Sequence, residues 1–167
     1  MRISGLLVLA ALIPAPLAVG AVFLDAPLVV LNTSPSEPIG LYRRVAAQPQ
    51  TGDLIAFRPP QTAMAYLRRS QPGRARGSIL KGVAAGAGAQ VCASERLVVE
   101  GRVLGPIAAR DRAGRLLPRW RGCRRLVAGE YVVFSNRIPN SFDSRYYGPV
   151  HRRDILGVYA PIWIWDA

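Results

Sequence analysis

Two hydroxyls and one amine are the groups in this chain whose types and spacing point to covalent chemistry. Ser34 and Ser36 lie on the turn Asn32-Thr33-Ser34-Pro35-Ser36-Glu37-Pro38-Ile39-Gly40-Leu41-Tyr42, and Lys81 lies in the apolar run Ser78-Ile79-Leu80-Lys81-Gly82-Val83-Ala84-Ala85. Of the 22 Lys and Arg residues 21 are arginine, which leaves Lys81 as the single lysine. Arginine stays protonated at any accessible pH and cannot act as a general base, whereas a desolvated lysine loses its proton near neutrality. Ile79, Leu80, Val83 and Ala84 are neighbours able to desolvate it; moving a lysine from about 10.4 toward neutrality requires roughly 4 kcal/mol of differential solvation, within reach of burial. A serine hydroxyl is inert at neutral pH without an adjacent base, which neutral Lys81 would supply to Ser36. Pro35 and Pro38 limit the backbone around Ser36, and Gly40 lets the chain pass close to a substrate. Ser34, two residues earlier, is either a second candidate nucleophile or a hydroxyl donor to an oxyanion. Together the two segments suggest serine/lysine hydrolytic chemistry.

A second polar stretch, Ser135-Asn136-Arg137-Ile138-Pro139-Asn140-Ser141-Phe142-Asp143-Ser144-Arg145, follows an apolar strand. It offers Ser141 or Ser144 to orient the lysine and an Asp143 to Arg145 pair to brace the loop. Metal and cofactor chemistry are not expected, since His151 is the single histidine and no nitrogen or sulfur pair accompanies it. Cys92 and Cys123, with thirty residues between them, lack metal-finger spacing and read as one disulfide of an oxidising compartment.

These groups need a scaffold and an address. The 167 residues allow one domain plus an anchor. Gly5 to Leu24 is twenty residues without a charge, which as a helix would span roughly 30 Å, one hydrocarbon core. Arg2 before it and Asp25 after it orient the remainder outward, so residues 1–25 are predicted to be an uncleaved anchor and 26–167 a periplasmic domain of an inner-membrane, single-pass protein. Pro14 and Pro16 keep a cleavable secretory signal as the alternative. The net charge of +12 is spread as scattered arginines, the pattern of a surface facing anionic lipid rather than nucleic acid. Strands are predicted at Leu28 to Leu31, from Gly40, at Leu54 to Phe57, around Lys81, at Val91 to Val99, Gly101 to Ile107, Glu130 to Ser135 and Ile155 to Trp165. One short helix is expected at Gln61 to Gln71, ended by Pro72-Gly73. Arg74 to Gly77 reads as a basic loop, Ala109 to Cys123 as a loop or hairpin insertion, and Asn136 to Pro149 as a polar loop. The sum is a mainly β fold of short strands.

In this order the segments resemble the signal peptidase I superfamily, and within it the short TraF-type conjugative transfer peptidases. Asn32 to Tyr42 resembles the nucleophile box, Gly52-Asp53-Leu54-Ile55-Ala56-Phe57 the Gly-Asp strand, Leu80-Lys81-Gly82-Val83 the general-base box, and Asn140-Ser141-Phe142-Asp143-Ser144-Arg145 the Asp-Ser-Arg box. The resemblance implies Ser36 as nucleophile, Lys81 as base, Ser34 with the Ser36 amide as oxyanion hole, Asp143 and Arg145 as the supporting pair, and Ser141 as the serine that orients the lysine. It also implies a signal-peptidase-like β domain and a Cys92–Cys123 bridge pinning the central loop. The expected substrate is an exported protein, a pilin precursor that is cleaved and, in one version, cyclised, with conjugation or type IV secretion components as partners. Glu37, where leader peptidases usually carry Met, and the absence of room for a large extra domain favour this short branch. The rival readings are an inactive periplasmic scaffold of the same apparatus and an arginine-rich DNA-binding membrane protein.

Overall fold

The computed structural model describes residues 26–165. Eleven strands run in chain order: β1 (Val29–Asn32), β2 (Gly40–Val45), β3 (Leu54–Phe57), β4 (Ile79–Ala85), β5 (Gln90–Ala93), β6 (Arg96–Val99), β7 (Arg102–Pro106), β8 (Gly122–Arg125), β9 (Glu130–Val133), β10 (Val150–His151) and β11 (Ile155–Ile164). They form a seven-stranded sheet in the order β1-β2-β11-β3-β4-β9-β10 and a four-stranded sheet in the order β7-β6-β5-β8. Every strand pair is antiparallel. The mainly β architecture expected from the alternating apolar runs is thus present. Among the described residues no helix is long and apolar enough to cross a membrane, and the anchor expected over residues 5–24 lies outside them.

Alternation along β4 decides where the lysine goes. Side chains two apart share a face, so Lys81 stands with Ile79 and Val83, which belong to the main apolar core, while Leu80 packs on the opposite face with Tyr42, Ala56 and Tyr159. The β3 pairing sets Ile55 opposite Lys81. Lys81 is therefore in the interior of the sheet, not at an edge. The main core joins Ile55, Phe57, Val132 and Val133 of the large sheet to Val91 and Leu97 of the small one.

Among the described residues three α-helices are present where one short helix was predicted. The first, α1 (Gln61–Ser70), buries Ala63, Tyr66 and Leu67 and carries Arg68 and Arg69 in its last turn, where cations suit the helix dipole. Pro72 ends that helix as expected, but it also opens α2 (Pro72–Arg76) in place of the predicted basic loop; its missing N–H and fixed φ suit a first helical position. The third, α3 (Ser144–Tyr147), lies in the stretch that the sequence presents as a polar loop, and Ser141 through Tyr147 are all buried. The physical reason is mutual satisfaction. Asp143 caps α3 by accepting from the Arg145 amide at 3.2 Å, and Phe142 stacks on Tyr146 with ring centroids 5.6 Å apart, so Asp143, Ser144 and Arg145 enter the core already paired.

Cys92 and Cys123 face each other in register between β5 and β8 and are joined by a disulfide. The stretch from Ala109 is indeed a tight loop, closed by an Arg110 to Leu116 bridge and by Asp111, whose Oδ1 accepts from the amides of Ala113 and Arg115.

Candidate active site

Ser36 sits on the connection between β1 and β2, a turn held from inside by Asn32. The Asn32 carboxamide nitrogen donates to the carbonyls of Ser34, Glu37 and Pro38 at 3.0, 3.0 and 2.9 Å, and its oxygen accepts from the Ser34 amide at 3.1 Å. One side chain thus supplies the hydrogen bonds that a turn cannot make with itself. From outside, Tyr42 Oη donates to the Pro38 carbonyl at 2.6 Å, and Ser135 Oγ donates to the Ser36 carbonyl. The exit of the turn is tight as well: a Cβ on Gly40 would lie 2.3 Å from the Trp163 carbonyl oxygen, so only glycine lets β2 approach β11 there.

Lys81 reaches this turn from β4. Its Nζ is hydrogen-bonded to Ser36 Oγ and lies 3.2 Å from the Leu80 carbonyl, and both Ser36 and Lys81 are only 2 % exposed. Burial drives the lysine pKa down from 10.5 to about 8, with Glu37 and Asp143 holding it up and Arg74 and Arg145 pushing it further down. Glu37 is itself buried, and its Oε1 accepts from the Gly82 amide at 3.3 Å. Desolvation raises its carboxyl above the ordinary range while Lys81 and the Gly82 amide draw it back.

The remaining sequence candidates divide. Ser34 Oγ is 2.9 Å from Ser36 Oγ, and the Ser36 amide makes no hydrogen bond among the described residues. Asp143 and Arg145 form a buried bidentate pair, Nε to Oδ1 at 2.8 Å and Nη2 to Oδ2 at 2.9 Å. Arg145 also donates to the Ser141 carbonyl at 3.0 Å and lies over the Phe134 ring at 4.9 Å, and Asp143 accepts from the Ser135 amide at 3.3 Å. The pair therefore ties the end of β9 to the loop above the site. Ser144 turns away, its Oγ accepting from the Val133 amide at 2.9 Å. Ser141 is buried on the wall of the site, yet its Oγ hydrogen-bonds no other described group, Lys81 included.

Two further residues belong to the constellation. Ser135 is, in the sequence, only the start of a polar loop, yet it clamps the Ser36 carbonyl. Arg74, on α2, donates from Nη2 to Ser34 Oγ at 2.7 Å. Nothing in the sequence separates this arginine from its twenty fellows. A cavity of about 420 Å³ opens beside Ser36, between Ser34, Arg74, Ile138, Ser141 and Phe142. A larger cleft of about 880 Å³, bordered by Val83, Leu104, Tyr131 and Phe134, contains neither serine nor lysine of the site, so the smaller cavity is the one beside Ser36. Among the described residues no cluster of His, Cys, Asp and Glu could hold a metal ion.

A mainly β domain that buries a lysine against a turn serine has the makings of a serine peptidase. The family model described as signal peptidase, peptidase S26, matches residues 2–165, and the chain belongs to that family. A plasmid transfer protein TraF from Escherichia coli is 32% identical over 160 residues, covering 89% of each chain. The conjugal transfer protein TraF of Agrobacterium fabrum is 29% identical over 147 residues, 81% of this chain and 82% of that one. A crystal structure of a signal peptidase I from Enterococcus faecalis aligns with 68% of this chain and 98% of its own at 22% identity, with a TM-score of 0.40.

Proposed function

We propose that this protein is a membrane-anchored serine endopeptidase that processes an exported conjugative pilin precursor through a Ser36/Lys81 dyad. The observation that carries the reading is the hydrogen bond between Ser36 Oγ and a Lys81 that is out of water and has a pKa of about 8. Neutral Lys81 takes the proton of Ser36 as its oxygen attacks the scissile carbonyl, and returns it to the leaving amine as the C–N bond breaks. The Ser34 hydroxyl and the Ser36 amide hold the oxyanion. Ser36 is left acylated. Lys81, neutral again, then activates the water that hydrolyses the ester, or the substrate's own amine attacks it and closes a ring. Asp143 and Arg145 keep the loop over the site in place, and Ser141 lines the substrate cavity.

The conjugation assignment rests on the names of the relatives, a conjugal transfer protein and a plasmid transfer protein. The membrane assignment rests on residues 5–24, with residues 1–25 as the anchor and 26–167 as the periplasmic domain. An apolar rim supports it: Leu28, Val29, Leu31, Ile162, Trp163 and Trp165 are all 48% or more exposed. They lie on β1, the end of β11 and the residues flanking these strands, and the Trp165 amide donates to the carbonyl of Ile39 in the serine turn at 2.9 Å. Aromatic side chains at such a rim suit the interface of a bilayer.

The test is processing of an exported pilin precursor, followed by mass spectrometry, in cells carrying the wild-type chain, Ser36→Ala or Lys81→Ala. Loss of processing in both variants, with the proteins still folded and membrane-bound, is the expected result. Wild-type processing in either variant would refute the dyad and leave a scaffold of the transfer apparatus as the reading.

A further inference from the structure

The site holds a cation that the chemistry of Ser36 and Lys81 does not by itself require. Arg74 is half-buried on the wall of the 420 Å³ cavity. It is fixed in α2, where its amide donates to the Gln71 carbonyl at 3.0 Å, and its Nη2 is 2.7 Å from Ser34 Oγ. A guanidinium has donors and no acceptor, so Ser34 Oγ must be the acceptor of that bond. The hydroxyl hydrogen of Ser34 is then left for its other neighbour, Ser36 Oγ, at 2.9 Å. Ser36 in turn meets Lys81 Nζ, which when neutral presents a lone pair. With Lys81 neutral, donation runs in one direction, from Arg74 to Ser34, from Ser34 to Ser36, and from Ser36 to Lys81.

We propose that Arg74 is a positioning residue for the oxyanion donor, holding the Ser34 hydroxyl with its hydrogen turned toward the reacting oxygens. The inference rests on the Ser36/Lys81 reading above. Its chemical content is directional. As the Ser36 proton passes to Lys81 and the new C–O bond forms, the carbonyl π pair moves onto the carbonyl oxygen, and Ser34 donates to that charge without giving up its own proton. Without Arg74, a serine hydroxyl is an equally good acceptor and can turn its hydrogen away, which is the wrong polarity for an oxyanion hole. A hydroxyl that accepts from a cation is also a stronger donor, because successive hydrogen bonds polarise one another.

An arginine lining a peptidase cavity could instead bind an acidic group of the substrate directly, and a double-mutant cycle separates the two roles. The experiment uses the full chain in detergent at pH 9, with p-nitrophenyl acetate as the probe of Ser36 acylation, and compares Ser34→Ala, Arg74→Met, the double variant, Arg74→Lys and Ser36→Ala. Ser34→Ala is expected to lower kcat by about 10²-fold, the loss typical of one oxyanion donor. Arg74→Met is expected to lower kcat by roughly 10-fold with KM unchanged, Arg74→Lys to recover most of that loss, and the double variant to be no slower than Ser34→Ala. Losses that multiply in the double variant, an effect confined to KM, or a wild-type rate for Arg74→Met would each overturn the proposal. If Arg74→Met does not fold, Arg74→Lys serves in the same cycle, its deficit disappearing in the Ser34→Ala background. Ser36→Ala is the control for the underlying reading: a wild-type rate there removes the dyad itself, whereas an inactive Ser36→Ala with multiplying losses removes only the role of Arg74.

Discussion

On the proposed mechanism, the buried lysine ties activity and stability to the same proton. Lys81 has a pKa of about 8 in the folded chain against 10.5 for a free lysine, so between these values the unfolded chain binds more protons than the folded one, and stability rises with pH. Below pH 8 both states are protonated and the folded state bears the whole penalty of a buried ammonium; above pH 10.5 the penalty is gone. At 1.36 kcal/mol per pH unit, the gap amounts to about 3 kcal/mol, with no discount for solvent at a side chain this deeply buried. The perturbation is Lys81→Met, which cannot titrate. Denaturant unfolding of wild type and variant at intervals from pH 7 to 10.5 should give a stability difference that changes by about 3 kcal/mol over that range, the wild type gaining as pH rises. The other titrating groups are common to both chains and cancel in the difference. In parallel, kcat/KM of the wild type should climb about tenfold from pH 7 to its plateau, because at pH 7 about one Lys81 in ten is neutral. Parallel stability curves, or an activity that is flat across pH 8, would refute the reasoning.

The other expected outcomes follow from the same geometry. Glu37 raises the Lys81 pKa, so Glu37→Gln should move the rise in kcat/KM to lower pH, and an unmoved or upward-moved profile would show that the carboxylate does not act on the lysine. Asp143→Asn or Arg145→Met strands a partner in a pair that is 0% and 3% exposed; unfolding measurements should show a loss of about 3–5 kcal/mol, and a loss below about 1 kcal/mol would mean that the pair is not desolvated. Gly40→Ala drives a Cβ to within 2.3 Å of the Trp163 carbonyl, so β2 must separate from β11. A destabilisation of about 1–3 kcal/mol or more should appear in thermal unfolding, together with lower activity, because the serine turn hangs from that strand.

The parts of the site legible in the sequence are those in which a residue type breaks a pattern. Lys81 stands out because every other long cation is arginine, and its place in an apolar run with period-two alternation locates it inside a strand. The serine turn is legible from Pro35, Pro38 and Gly40, and the two cysteines from their isolation. The stretch after β9 departs from the polar loop expected there for a physical reason: polarity signals exposure only when the polar groups have no partners, and Asp143, Arg145 and Ser144 satisfy one another and the end of β9 within the core. Its residue types offer groups to orient the lysine and the resemblance gives it a place beside the site, but neither shows that it is buried. The short α2 is illegible because five residues, Pro72 to Arg76, are too few to show a helical period. With α2 hidden, so is Arg74. The cation that meets Ser34 comes from a segment that reads as a solvated basic loop.

On the proposed mechanism Lys81 is a general base, and the charges around it follow from what such a base requires. Burial alone lowers a lysine pKa by several units, and an amine lowered too far is neutral but too weak a base to take a serine proton. One not lowered enough is an ammonium, with no lone pair at all. The useful value lies near the working pH. Around Lys81 the balance is struck by two charges of each sign, Glu37 and Asp143 raising the pKa against Arg74 and Arg145 lowering it. Each of the four also does something mechanical. Glu37 accepts from the Gly82 amide beside the lysine, Asp143 and Arg145 lock the covering loop, and Arg74 meets Ser34. Tuning and positioning are therefore coupled, and substituting any one of the four changes both the proton affinity of Lys81 and the geometry into which it delivers. Arginine is the residue that allows this arrangement on the cationic side. A lysine at the buried position 145 would itself be free to shift its pKa on burial, so a second base would compete for the proton where the proposed mechanism has use for one.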